Sequence, residues 1–271
     1  MDPDQIIKTR KVDLKSDDEE IRRRHEEHYT NFKRWLLKKS GLASGTVDNI
    51  LTAVRSFYKR NYYPLVEVEG VDRVPVRVVH VPTQEELGRM VKAVEDDTYR
   101  AMILAAAQSG ISVGDLTQLT FNSTSPAYGT IAKQLTNHHG LGIIHVRLTR
   151  RKTNITYDTF FGKATFEALK TLNRTRGTIF PITPRHFERI VKKAAEDAGV
   201  EGLVTPHALR KYFATRLKLT RINDPAWNDT LIEYWMGHAI PKVKAAYFIP
   251  PIEEQAKLYL QAEPRLAPPP F

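Results

Sequence analysis

The sequence predicts a mostly α-helical protein with one small antiparallel β-sheet (α+β), divided into a small N-terminal helical domain and a larger second domain. Three observations carry this. Apolar residues recur at three- and four-residue spacing along most of the chain. Only residues 143–149 and 155–161 read as a strand pair, around a polar turn at 150–154. A stretch holding Pro64, Pro75, Pro82 and alternating Val separates two helical regions. The length of 271 residues fits about two domains at roughly 150 residues each.

Residues 1–16 are polar and mixed in charge, with no apolar period, and are expected to form a flexible arm. Residues 17–63 form the helical domain. Tyr29, Phe32, Trp35 and Leu36 mark one helix, ended by Gly41. Val47, Ile50, Leu51, Val54, Phe57 and Tyr58 mark a second, with Arg55, Lys59 and Arg60 off the stripe. These basic side chains suit contacts to phosphate, although a solvated helix face reads the same way.

Residues 64–82 are expected to be an extended linker, with a short strand at 74–81. Thr83 and Glu86 in T-Q-E-E form a capping box that opens the second domain, 83–262. Helices are expected over 83–95, 99–108, 112–119, 165–173, 183–198, 207–218, 228–236, 239–248 and 252–262. Residues 263–271, rich in Pro, are expected to fray as a tail.

Lys plus Arg number 41 against 31 Asp plus Glu, a formal net charge of +10. This favours a polyanionic partner, or simply a basic, well-solvated surface. There is no Cys, so disulfides, thiolate catalysis and Cys-ligated zinc are excluded. No apolar run approaches the roughly 20 residues of a membrane span, and Met1-Asp-Pro-Asp opens no signal peptide. A cytoplasmic location is expected. No Gly-rich phosphate loop is present.

The chemistry gathers near the end. T-P-H-A-L-R-K-Y-F-A-T holds His207 and Arg210, W-M-G-H holds His238, and K-A-A-Y-F holds Tyr247, nine residues later. Tyr can carry a covalent phosphate. Arg grips two phosphate oxygens through its planar fork. His donates hydrogen bonds or moves protons near neutral pH. Each alone reads as packing or capping; the string together reads as metal-free phosphodiester transfer.

This string resembles the tyrosine recombinase (phage integrase) family, whose motifs read H-x-L-R-H-x-F-A-T, then L-G-H, then Tyr. Lys211 stands for the usual second His and Met236 for the usual Leu. The resemblance is specific over about 205–248, weaker over 83–161, and only architectural before that. It implies that Tyr247 is the nucleophile, that Arg210 clamps the scissile phosphate, and that His207 and His238 assist. It implies that Lys152, in the hairpin turn T-R-R-K-T-N, protonates the leaving 5′ oxygen, with Arg150 or Arg151 as alternative phosphate contacts.

One position departs. The family's first catalytic Arg lies in G-L-R-x-x-E-L; here S-G-I-S-V-G-D-L places Ser112 at that Arg, with Asp115 at the acidic place. A neighbouring Arg (Arg100, Arg150 or Arg151) then substitutes, the enzyme is slow, or catalysis is lost. The resemblance further implies double-stranded DNA as partner, a dimer or tetramer of this chain on DNA, a Holliday-junction intermediate, nucleoid association when bound to DNA, and neither cofactor nor metal. The rival readings are a non-catalytic DNA-binding protein on the same scaffold and a type IB topoisomerase-like enzyme.

Overall fold

A computed structural model describes residues 2–72, 78–136, 141–221, 228–241 and 249–269. The chain forms two compact units, divided between Val78 and Val79.

The first unit holds α1 (Pro3–Asp13), α2 (Glu19–Lys39) and α3 (Ser44–Arg60). The expected N-terminal arm is instead a helix. Asp2 caps it, Pro3 occupies its first turn, and Arg10 and Asp13 are buried. Its attachment is polar, which is why an apolar period does not reveal it. Arg10 forms a two-pronged ion pair with Glu26 of α2 and donates to the carbonyls of Arg22 (3.0 Å) and Pro64 (3.2 Å). Asp13 accepts from Arg24 at 2.9 Å and faces His25 at 3.3 Å, and His25 reaches the Tyr58 hydroxyl at 2.8 Å. Burial, then the charge of Arg10, lowers the pKa of His25.

Tyr29, Leu36, Val47 and Leu51 form the apolar centre between α2 and α3, with Leu65, Val68 and Val71 packed against it. The first half of the expected linker is therefore part of this unit: Val66 N–H donates to Glu26 at 3.1 Å. The strand expected at 74–81 falls partly outside the described residues. What is described is a parallel bridge from Val79 to Leu203 in the second unit.

The second unit begins α4 (Gln84–Ala93), whose capping box is complete between Thr83 and Glu86. α5 (Asp97–Ser109) is buried along its whole second half and ends at Gly110 in the left-handed conformation, φ 64°. α6 is one turn (Val113–Leu116), shorter than the expected 112–119. A small antiparallel pair, β1 (Thr124–Ser125) with β2 (Gly129–Thr130), and α7 (Ile131–Thr136) follow; the sequence pattern indicated none of them.

β3 (Ile144–Arg150) pairs antiparallel with β4 (Ile155–Phe161), in register from Ile144 opposite Phe161 to Arg150 opposite Ile155. This is the expected hairpin. α8 (Lys163–Thr171) packs on α5, and α9 (Pro184–Asp197), capped by Thr183, packs on α4. α10 (Pro206–Arg221), α11 (Asp229–Trp235) and α12 (Ile252–Leu266) close the unit. The helix expected at 239–248 lies largely outside the described residues.

α12 extends four residues past the expected end, and the tail does not fray. Ala256, Tyr259, Ala262 and Leu266 are buried with Phe160, Phe213, Leu217 and Trp235. Tyr259 donates to the Gln108 carbonyl at 2.7 Å. Gln84 donates to the carbonyls of Pro264 (2.9 Å) and Ala267 (2.8 Å), holding the terminal stretch on α4. Among the described residues no helix is long and apolar enough to cross a membrane.

Candidate active site

The site is built on the C-terminal end of α11. Met236 ends the helix, Gly237 follows at φ 65°, and two reversed hydrogen bonds close it: Gly237 N–H to Tyr234 O at 2.8 Å and His238 N–H to Glu233 O at 3.0 Å. This is a Schellman turn, which favours Gly at the left-handed position. A second demand fixes Gly237: a Cβ there would come within 2.6 Å of the Tyr157 ring. The Gly-His pair is thus a helix terminator that delivers the His238 ring to a fixed place.

His238 is held at both nitrogens. Nδ1 meets the Glu233 carboxylate, and Nε2 lies 3.0 Å from Arg210 Nη2. An arginine only donates, so Nε2 accepts and Nδ1–H donates to Glu233. Glu233 therefore grips this residue through its backbone carbonyl and its carboxylate, a role the sequence pattern did not indicate.

Arg210 lies one turn into α10 and is 6% exposed. Its guanidinium donates to Gly110 O, to Met236 O at 2.5 Å, and to His238. Burial, foremost, lowers its pKa, and the nearby charge of Arg150 adds to this. Among the described residues it forms no ion pair with a carboxylate. Gly110 is also constrained, since a Cβ there would lie 2.4 Å from the Phe213 ring. α5, α10 and α11 thus meet at one cation.

His207 stands exposed at the start of α10, with no hydrogen-bond partner among the described residues. Partial burial of the ring, then the charges of Lys211 and Arg210, lower its pKa, which favours the neutral ring at pH 7. Lys152 is exposed in the hairpin turn, where Asn154 adopts φ 55° and donates to Arg150 O at 2.8 Å. Arg151 is exposed, and its backbone N–H donates to Asp115 at 3.2 Å. Tyr247 lies outside the described residues.

Ser112 donates its hydroxyl to Asp115 at 2.7 Å. Asp115 is buried, and its two oxygens tie α6 to the start of the hairpin turn. Of the three arginines expected from the sequence as stand-ins at this site, Arg100 lies away from it. It pairs with Asp97 at 2.6 Å and Val94 O at 2.7 Å, at the far end of α5. Arg150, by contrast, donates to Gly237 O at 3.0 Å.

A further polar chain supports α11. Ser125 meets His145 Nδ1 at 2.6 Å, His145 Nε2 meets Asp158 at 3.0 Å, and Tyr234 donates to the other Asp158 oxygen at 2.5 Å. Ser, His and Asp in sequence suggest a nucleophilic triad. Here all three are buried, and Ser125 also accepts the Tyr128 N–H at 2.9 Å, so the chain is a structural tie from β4 to α11. Burial alone would raise the Asp158 pKa; hydrogen bonds from His145 and Tyr234 and the charge of Arg147 outweigh it and lower the pKa. Burial and the Asp158 carboxylate push the Tyr234 phenol upward, and its hydroxyl is committed to Asp158.

In the first unit, Lys59 and Arg60 are exposed. Arg55 is partly committed, to Thr52 at 2.9 Å and Asp48 at 3.7 Å. Among the described residues no cluster of His, Asp and Glu could hold a metal ion.

Residues 81–248 match the sequence model of the phage integrase family, and the chain belongs to that family. Solved structures agree in fold. A lambda integrase (75–356) dimer bound to a COC′ core site superposes with a TM-score of 0.59 at 16% identity, covering 91% of this chain and 86% of that one. The XerH site-specific recombinase bound to its difH substrate gives 0.54 at 16% identity, covering 86% and 69%. The integrase from mycobacterium phage Brujita gives 0.51 at 19% identity, covering 90% and 79%. No curated protein sequence matches.

Proposed function

We propose that this chain is a site-specific DNA strand transferase that cleaves and rejoins duplex DNA through a 3′-phosphotyrosyl intermediate at Tyr247. One observation supports this most. Arg210 is a buried cation bonded to carbonyls and a neutral imidazole, without an ion-pair partner among the described residues. Such a charge is held ready for an anion, and a phosphodiester in transfer presents one.

In the proposed step the Tyr247 oxygen bonds to phosphorus as the bond from phosphorus to the 5′ oxygen breaks. The phenol, ordinarily near pKa 10, gives up its proton, and His207, whose pKa is lowered and which has no hydrogen-bond partner among the described residues, is offered as the group that takes it. The 5′ oxygen takes a proton from Lys152. Arg210 is offered as the contact to the non-bridging oxygens, where preorganised donors stabilise developing charge, and His238, whose Nε2 accepts from Arg210, positions its guanidinium. Reversal with a new 5′ hydroxyl rejoins the strand, so the bond energy is conserved and no ATP is consumed. By analogy with the DNA-bound lambda integrase dimer and with a lambda integrase tetramer on a Holliday junction, the chain acts as a dimer or tetramer on double-stranded DNA. Lys59 and Arg60 in the first unit and Arg151 in the second are offered as backbone contacts.

Ser112 favours a second reading. Its hydroxyl is spent on Asp115, so it brings neither charge nor a free donor, and a DNA-binding protein without strand transfer fits that. Trapping covalent adducts on suicide substrates made from DNA flanking the gene separates the two. The expected result is a denaturation-resistant adduct lost in Tyr247→Phe; specific binding with no adduct favours the second reading.

A further inference from the structure

We infer that Arg150 is a second phosphate-binding catalytic residue, converging with Arg210 on the corner after α11 and supplying the cation that Ser112 does not. The anion site itself rests on geometry; its identification with a scissile DNA phosphate rests on the strand-transfer reading above.

The two guanidinium groups sit on consecutive carbonyls. Arg210 donates to Met236 O at 2.5 Å, and Arg150 donates to Gly237 O at 3.0 Å. They arrive from different elements, α10 and the end of β3, so the convergence is a product of the fold and not of sequence spacing. Neither forms an ion pair with a carboxylate among the described residues. Among the described residues Arg150 uses one of the five N–H donors that the group carries, and it is only partly exposed. Two like charges at one corner repel each other, and the pKa of Arg210 registers that repulsion. An anion between them relieves it.

The surroundings fit this. Asp115, the nearest acidic side chain on α6, has one oxygen on the Ser112 hydroxyl and the other on Arg151 N–H, so it is bonded to neutral donors and neutralises neither arginine directly. Through those bonds Ser112 lies beside the start of the hairpin turn, next to the residue proposed to replace its missing charge. The Tyr157 hydroxyl is fully buried beneath Gly237 and has no partner among the described residues. The charges of Asp115, Arg210 and Arg150 all act on it, so the corner joins a buried polar base to the partly exposed Arg150. Arg210 Nη2 spends both its protons on Met236 O and His238 Nε2, so Arg210 offers single N–H contacts, whereas the Arg150 fork can hold two phosphate oxygens bidentately, which Lys at position 150 could not.

The test has two arms. The first uses inorganic phosphate and no DNA, following the Nε–H signals of both arginines by NMR. Both are expected to move with one dissociation constant, and Arg150→Ala is expected to weaken phosphate about tenfold or more, the scale of one charge-assisted bond. An Arg150 signal that stays still while Arg210 responds overturns the inference. The second arm compares suicide duplexes carrying a phosphodiester or a neutral methylphosphonate at the mapped cleavage position. Arg150→Ala is expected to slow adduct formation about 10²- to 10³-fold on the phosphodiester and far less on the methylphosphonate, which has no charge to neutralise. Equal losses on both substrates make Arg150 a prop for Gly237 and overturn the phosphate contact. A wild type that forms no adduct but binds phosphate through both arginines sinks strand transfer and leaves the anion site standing.

Discussion

At the scale of single residues, Arg210 is proposed to serve chemistry with the same atoms that serve the fold. Its N–H groups satisfy the carbonyls of Gly110 and Met236, so Arg210→Ala removes a transition-state contact and also leaves buried acceptors unpaired, at about 1–3 kcal/mol. Arg210→Lys separates the roles better, because a charge remains while the fork is lost. It is expected to keep most of the stability and to lose at least about 10²-fold in adduct formation; unchanged single-turnover cleavage would make Arg210 a structural residue. Glu233 acts through His238. Glu233→Ala is expected to slow cleavage within the 10²–10⁴ range that a positioned proton-transfer group contributes, and Glu233→Gln to restore part of it, since an amide oxygen still accepts from Nδ1–H. Rates that are equal in the two variants would remove Glu233 from the site. Asp158 is a pH-dependent tie. Its folded-state pKa is depressed, so its contribution is complete above the ordinary carboxylate value of about 3.9 and is lost as pH falls below it. Denaturant titrations should therefore show wild type exceeding Asp158→Asn at pH 7, with the gap closing in acid. A gap that is constant with pH would disprove the tie.

At the scale of elements, the parts legible in sequence were those with a local code. Thr83 and Glu86 announced α4, and two apolar runs around a polar turn announced β3 and β4, because capping and turn signals are written within a few residues. α1 was missed because its attachment to α2 is made by Arg10–Glu26 and Asp13–His25 pairs, which hydropathy reads as solvent-facing. The same polarity makes it testable: Glu26→Ala leaves the buried Arg10 cation uncompensated and is expected to cost about 3–5 kcal/mol, whereas Arg10→Met with Glu26→Leu is expected to cost much less. Equal losses would mean that α1 is held by something other than the pair. The last helix, α12, folds back on its own unit. Tyr259 and Leu266 are fully buried in its own unit, and a fully buried apolar side chain contributes about 1.5–3 kcal/mol. Ending the chain after Pro251 should thus lower the melting temperature of the second unit before it alters assembly on DNA. Of the candidate site, the motif residues were legible as a string and Arg150 only as one of several possible phosphate contacts, whereas Glu233 was not legible. Glu233 reads as one more helical carboxylate, and Arg150 meets Gly237 only because the hairpin is brought against α11, 87 residues later.

At the scale of the whole molecule, the formal charge of +10 is divided between roles that salt distinguishes. Arg10 is consumed inside the first unit, and Arg55 is partly committed to Asp48. Lys59, Arg60, Arg151 and Lys152 are exposed and are the proposed contacts that displace counterions from DNA. If about six phosphates are neutralised, log K should fall against log salt with a slope near −5, and each lost contact should flatten it by about 0.9. Lys59→Ala and Arg60→Ala together should therefore reduce the slope by about 2 while leaving adduct formation at saturating protein unchanged. Ser112→Arg tests the opposite end of the same electrostatics. With Arg150 in place, a third guanidinium meets like charge, and cleavage should slow; in an Arg150→Ala background the same substitution should speed it. Opposite signs in the two backgrounds require that positions 112 and 150 serve one phosphate. The same sign in both, measured as single-turnover rates on one suicide substrate, would show that the two act separately and that the charge missing at Ser112 is supplied from elsewhere or not at all.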